Sequence, residues 1–155
     1  MKLLLIEDDD AQSSTVRLQL KQLIEGIEIK TIRSVFELQM LMDTQQLVFD
    51  AIVLDMMLIG RLPTRPSKAK DIINQGFAEP SNNLNAGFRC IQMLKETRFF
   101  EEKRIVVYSF LTHEDLRLGL KEHGLLGSFV EKTESFKKLS DVIRRSVARP
   151  ASGVE

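Results

Sequence analysis

Five side chains in the sequence have types that could do chemistry together. Glu7 and Asp8 follow the apolar run Leu3 to Ile6, and Asp55 closes the apolar part of "FDAIVLDMML". Ser109 ends "RIVVYS" and Lys132 ends "SFVEK". An acid after a strand is in most cases the cap of the next helix, and Asp9 or Asp10 is the expected cap here. A single serine or lysine in such a place is ordinarily a loop hydroxyl or a solvated charge. Convergence changes that reading. Three carboxylates held close repel one another, and one takes up a proton unless a cation is supplied. A hard divalent ion with oxygen ligands, Mg²⁺ above all, suits such a set, because it keeps several waters and needs few carboxylates. Lys132 adds a fixed positive charge. Together the two cations would hold the oxygens of a phosphoryl group while Asp55 attacks phosphorus.

Convergence requires a scaffold, and the hydrophobic pattern supplies one. Leu3 to Ile6 is wholly apolar, as expected for a strand covered on both faces. Val16, Leu20, Leu23 and Ile24 mark a helical stripe between Ala11 and Glu25, with Gly26 as its stop. Ile27, Ile29 and Ile32 fall in a second strand, and "SVFE" from Ser34 to Glu37 has the capping-box pattern of a helix running to about Met42. The third strand ends at Asp55. Between Ile59 and Ala86 the pattern breaks around Pro63, Pro66, Pro80, Gly60 and Gly76, and only "SKAKDIINQG" could form a short helix. Regularity returns with Phe88, Ile91 and Leu94 on a helix, followed by "RIVVYS" as the fourth strand. "THEDLRLGLKEHG" predicts a helix capped by Thr112 and ended by Gly124, then "SFVEK" a fifth strand. Phe136, Leu139, Val142, Ile143 and Val147 predict a strongly amphipathic last helix, with residues 149–155 as a flexible tail.

Five strand–helix alternations predict an α/β fold: a doubly wound, five-stranded parallel sheet in the order 2-1-3-4-5, flavodoxin-like. The expected organisation is one domain over residues 1–148 with an insertion at 59–86. Ligands of such sheets bind beyond the carboxyl ends of the strands, where the winding reverses between the first and third. Glu7, Asp8 and Asp55 all fall there. Only the outer second strand is expected to deliver no polar group to this rim.

Composition narrows the function classes. The 22 basic and 22 acidic residues cancel, so no overall field draws the chain to nucleic acid or to a membrane surface. The lone Cys90 excludes an internal disulfide and suits a reducing compartment. The apolar start of "MKLLLIEDDD" is too short for a signal peptide, which makes the cytoplasm the expected location. Cys90 beside Ile91 and Leu94 reads as core, His113 and His123 lack metal-ligand spacing, and there is no glycine-rich phosphate loop.

"LLLIEDD", "AIVLDMM", "RIVVYS" and "FVEK", in this order, resemble the receiver domain of two-component response regulators over nearly the whole chain apart from residues 59–86 and the tail. The resemblance implies that Asp55 is the phospho-acceptor. It implies that Glu7, Asp8 and Asp55, with the backbone carbonyl of Met57, hold Mg²⁺. Ser109 would be the hydroxyl that swings to the phosphate, Lys132 its lysine partner, and Phe129 the rotating aromatic of a switch. A histidine kinase or phosphotransfer protein would be the donor and an unidentified protein the output partner, with homodimerisation open. Catalysis would be confined to the protein's own phosphorylation and dephosphorylation. Thr133 stands where the family usually has proline, the loop after Asp55 is far longer, and no second domain is recognisable, so output would pass through docking. Two other readings stand beside this one. "Asp8-x-Asp10" is similar to haloacid-dehalogenase-type phosphatases, although only Glu134 follows the lysine where those need a further acidic pair. The third reading is an interaction module that works without phosphorylation.

Overall fold

The computed structural model describes residues 1–58, 84–97, 104–110 and 114–148. Five strands form one sheet: β1 (Lys2–Ile6), β2 (Glu28–Ile32), β3 (Ala51–Leu54), β4 (Arg104–Ser109) and β5 (Phe129–Glu131). The helices are α1 (Asp10–Leu23), α2 (Val35–Asp43), α3 (Leu84–Lys95), α4 (Glu114–Glu122) and α5 (Phe136–Ala148), with a short 3₁₀ turn at Leu126–Ser128. The strand order is β2-β1-β3-β4-β5 and every pairing is parallel. This is the doubly wound, flavodoxin-like arrangement that the strand–helix alternation predicts.

The period-two alternation of each strand divides its side chains between two core layers. Leu4, Ile6, Ile52, Leu54, Ile105 and Val107 face the layer that also holds Leu38, Ile91 and Leu116 of α2, α3 and α4. Leu3, Leu5, Val53, Val106 and Val130 face the opposite layer, closed by Val16 and Leu20 of α1 and Leu139 and Ile143 of α5. β1 and β3 are therefore apolar on both faces, and a fully buried side chain of this kind contributes about 1.5–3 kcal/mol. Cys90 lies in the first layer, fully buried.

Local signals set the element ends. Asp9 caps α1, its Oδ1 accepting the Gln12 N–H at 2.9 Å. Ser34 caps α2 through the Glu37 N–H at 3.1 Å, while the Glu37 carboxylate accepts the N–H of Arg33. Gly26 and Gly124 take positive φ after α1 and α4, a conformation in which glycine carries no Cβ penalty. Thr133 leaves a well-formed turn: the Lys132 N–H donates to the Ser109 carbonyl at 3.0 Å, and the Glu134 N–H donates to that of Glu131 at 2.9 Å.

One boundary differs from the sequence expectation. α3 opens at Leu84, inside the expected insertion, and runs through Gly87. A Cβ on Gly87 would lie 2.7 Å from the Cα of Met56. The glycine is there so that the first turns of α3 can seat on the backbone just after Asp55. The remainder of the insertion, with "SKAKDIINQG", the Thr112 cap and the tail from residue 149, lies outside the described residues. Among the described residues no helix is long and apolar enough to cross a membrane.

Candidate functional site

The sheet continues one residue past its strands at the rim. The Glu7 N–H donates to the Ile32 carbonyl at 3.0 Å, and the Asp55 N–H donates to that of Ile6 at 2.9 Å. Ladder bonds thus fix both backbones and leave the two carboxylates side by side, almost fully buried. Asp55 divides its oxygens between different partners. Oδ1 accepts the Met57 N–H at 3.0 Å and the Ser109 hydroxyl at 3.2 Å. Oδ2 accepts Lys132 Nζ at 3.1 Å.

Lys132 enters from the end of β5, with its side chain only 4% exposed. Its Nζ donates to Glu7 Oε2 at 2.5 Å and also to the Gln12 side-chain carbonyl. The rings of Tyr108 and Phe110 lie 5.7 and 5.3 Å from it, within cation–π range. Beside the lysine, α1, β4 and α5 line an open pocket of about 240 Å³ whose walls include Gln12, Thr15, Phe110 and Phe136.

The charges at this rim do not balance. Oxygens of Glu7, Asp8 and Asp55 lie within 4.8 Å of one another, and Lys132 is the cation set among them. Burial pushes the Glu7 carboxyl up to about 7; the neighbouring Asp55 charge adds to the rise, and Lys132 opposes it. That is the signature of a site short of positive charge. An octahedral Mg²⁺ with bonds near 2.1 Å needs donor oxygens about 3.0–4.2 Å apart, so small inward shifts of these three would meet it. The all-oxygen donor set fits a hard cation.

The five residues singled out for chemistry, Glu7, Asp8, Asp55, Ser109 and Lys132, therefore meet in one place. Met57 meets Asp55 through its N–H. Phe129 does not line this cluster; half-buried, it packs on the core layer of Val107, Leu116 and Leu120. Two residues escaped sequence reasoning. Gln12 looks like an ordinary polar position on a helix until Lys132 is folded onto it, 120 residues along the chain. Arg33, directly after β2, corrects the expectation that the second strand delivers nothing. Its Nη2 donates to the Asp8 carbonyl at 3.2 Å and pairs with Asp10 at 3.1 Å. A cation directly after a strand that borders β1 was the available signal.

With fold and site in view, the chain can be placed by likeness. No protein-family model and no curated protein matches it. Solved structures do, and they define the class: the chain has the fold of response regulator receiver domains. The beryllofluoride-activated receiver domain of DrrB, from Thermotoga maritima, is 22% identical with a TM-score of 0.64, the match covering 96% of this chain and 97% of that one. The receiver domain of a DNA-binding response regulator from Colwellia psychrerythraea 34H is 19% identical with a TM-score of 0.68, covering 96% and 99%. That of the Francisella response regulator 1452 is 16% identical with a TM-score of 0.65, covering 94% and 95%.

Proposed function

We propose that the protein is a phospho-acceptor of two-component signalling, taking a phosphoryl group from a histidine kinase or phosphotransfer protein onto Asp55 in the cytoplasm and passing the signal on by docking a partner. The arrangement of Asp55 carries this reading: a buried carboxylate held by Ser109 and the Met57 N–H on one oxygen and by Lys132 on the other, with two further acids alongside. An Asp55 oxygen bonds to phosphorus as the bond from phosphorus to the donor's imidazole nitrogen breaks. The nitrogen keeps the electron pair and leaves as neutral imidazole or is protonated by solvent. Lys132 turns donor hydrogens to the phosphoryl oxygens, and the Ser109 hydroxyl lies within reach of the same group. Glu7, Asp8 and Asp55 are the residues that would hold Mg²⁺, with the Met57 carbonyl as a further donor; bound there, the ion neutralises phosphoryl charge. Phe129 would follow Ser109 as the switch.

Incubation with acetyl phosphate and Mg²⁺, followed by intact mass and peptide mapping, tests the proposal. One added phosphoryl group on Asp55, absent from a folded Asp55→Asn variant, is the expected result. Label on Asp8 would instead indicate the phosphatase reading. No label under any condition would leave the interaction module.

A further inference from the structure

The ammonium of Lys132 has three protons and three oxygen acceptors: Glu7 Oε2 at 2.5 Å, Asp55 Oδ2 at 3.1 Å and the carbonyl of Gln12. The third acceptor belongs to a closed ring of hydrogen bonds. Glu7 Oε1 accepts the Asp9 N–H at 3.1 Å, Asp9 Oδ1 accepts the Gln12 N–H at 2.9 Å, Gln12 accepts Lys132, and Lys132 returns to Glu7. The N-cap of α1 therefore does two things at once: it starts the helix and fixes the backbone of Gln12 against the lysine.

We propose that Gln12 is a positioning residue for Lys132, the acceptor that keeps the ammonium in place when its two carboxylate partners take up other work. The inference rests on the phospho-acceptor reading. On that reading Asp55 becomes an acyl phosphate and Glu7 turns toward a cation, so both charged acceptors weaken together. An ammonium that is 4% exposed and loses its partners is strongly disfavoured. Gln12 is neutral, is not the nucleophile and stands outside the acidic set, so its carbonyl remains. Tyr108 and Phe110 lie within cation–π range of the ammonium, but neither ring face offers it a hydrogen-bond acceptor oxygen. One proton stays on Gln12 while the others turn to phosphoryl oxygen.

Two substitutions in the full chain test this: Gln12→Met, of similar length with only a weak thioether acceptor, and Gln12→Glu, which retains an oxygen acceptor. Three readouts separate the explanations: Mg²⁺ affinity by calorimetry, the rate of labelling by acetyl phosphate at saturating Mg²⁺, and the ¹⁵N-edited resonance of the Lys132 ammonium. Gln12→Met should slow labelling about tenfold, the effect of losing one hydrogen bond to a charged group, and leave Mg²⁺ affinity unchanged. Its ammonium resonance should broaden through solvent exchange, and Gln12→Glu should recover both rate and resonance. An unchanged rate and resonance in Gln12→Met overturns the proposal, as does a loss of rate that follows a loss of Mg²⁺ affinity. Should Gln12→Met not fold, Gln12→Glu decides alone: an ammonium resonance broadened as in free lysine overturns the role. If the wild-type protein takes no label, the phospho-acceptor reading falls, and the resonance in the metal-free protein still decides the ring.

Discussion

Glu7 shows how far burial and neighbouring charge can move a single group. Its carboxyl is pushed up to about 7 from the usual 4.5, first by burial and then by Asp55. The folded protein therefore holds that proton more tightly than the unfolded chain does. Between pH 4.5 and about 7, stability falls as pH rises, because the unfolded chain ionises freely and the folded one does not. Glu7→Gln should remove this slope and, without divalent cation, raise stability at pH 8 by about 1–3 kcal/mol. Urea denaturation of both proteins across pH 5–8 measures it; parallel slopes would contradict the assignment. The acid, hydroxyl and lysine of this site were legible in the sequence because each follows an apolar run, and the parallel topology brings the ends of neighbouring strands to one rim. Gln12 and Arg33 were not, because their partners, Lys132 and the Asp8 carbonyl, are set by tertiary contact and no local pattern announces them. The same holds for the raised carboxyl of Glu7, which depends on the burial of the folded rim.

At the scale of elements, the strands were legible for a physical reason: β1 and β3 are buried on both faces, and an apolar run of four residues bounded by polar ones has few other uses. The start of α3 was less so. Gly87 carries a low helix propensity, and the fold uses it for close approach to Met56. Sequence alone cannot distinguish a glycine that ends a helix from one that lets a helix come near. Gly87→Ala separates these roles. In an unconstrained helix the change would stabilise by about 1 kcal/mol through propensity. Here the new methyl meets backbone at 2.7 Å, and relieving such a contact costs about 1–3 kcal/mol. The expected net effect is a lower urea midpoint together with slower phosphorylation, since Met56 is the next residue after Asp55. A higher midpoint would show that α3 sits further from Met56 than the structure places it. Gly119 is a milder case, because the atom nearest its added Cβ is the far end of the Phe88 ring, which can turn.

For the whole molecule, the question is how the segment between β3 and α3 bears on the body of the fold. Both of its attachment points are anchored there: Leu58 is buried on one side, and Ala86 on the other packs in the core layer of α2 and α4. Connections in this architecture commonly take about 2–6 residues, so residues 59–83 far exceed what closure requires. The sequence places Arg61, Arg65, Lys68 and Lys70 in the first half of that segment against Asp71 alone, a local excess of positive charge on a chain whose total charge is zero. Such charge can act on a docking partner without contributing to folding. Replacing residues 60–82 with a six-residue Gly–Ser linker should leave the sheet and the Asp55 pocket unchanged. Loop-closure entropy falls by about 0.6 kcal/mol for each halving of length, so the shortened protein should gain about 1 kcal/mol. Labelling of Asp55 by acetyl phosphate should proceed at the wild-type rate, while transfer from a protein donor bearing an acidic face should slow and lose part of its salt dependence. Urea denaturation and stopped-time labelling at low and high salt measure both halves. A loss of stability on shortening would mean that the segment packs on the body and belongs to the fold, and salt dependence identical to wild type would remove its role in docking.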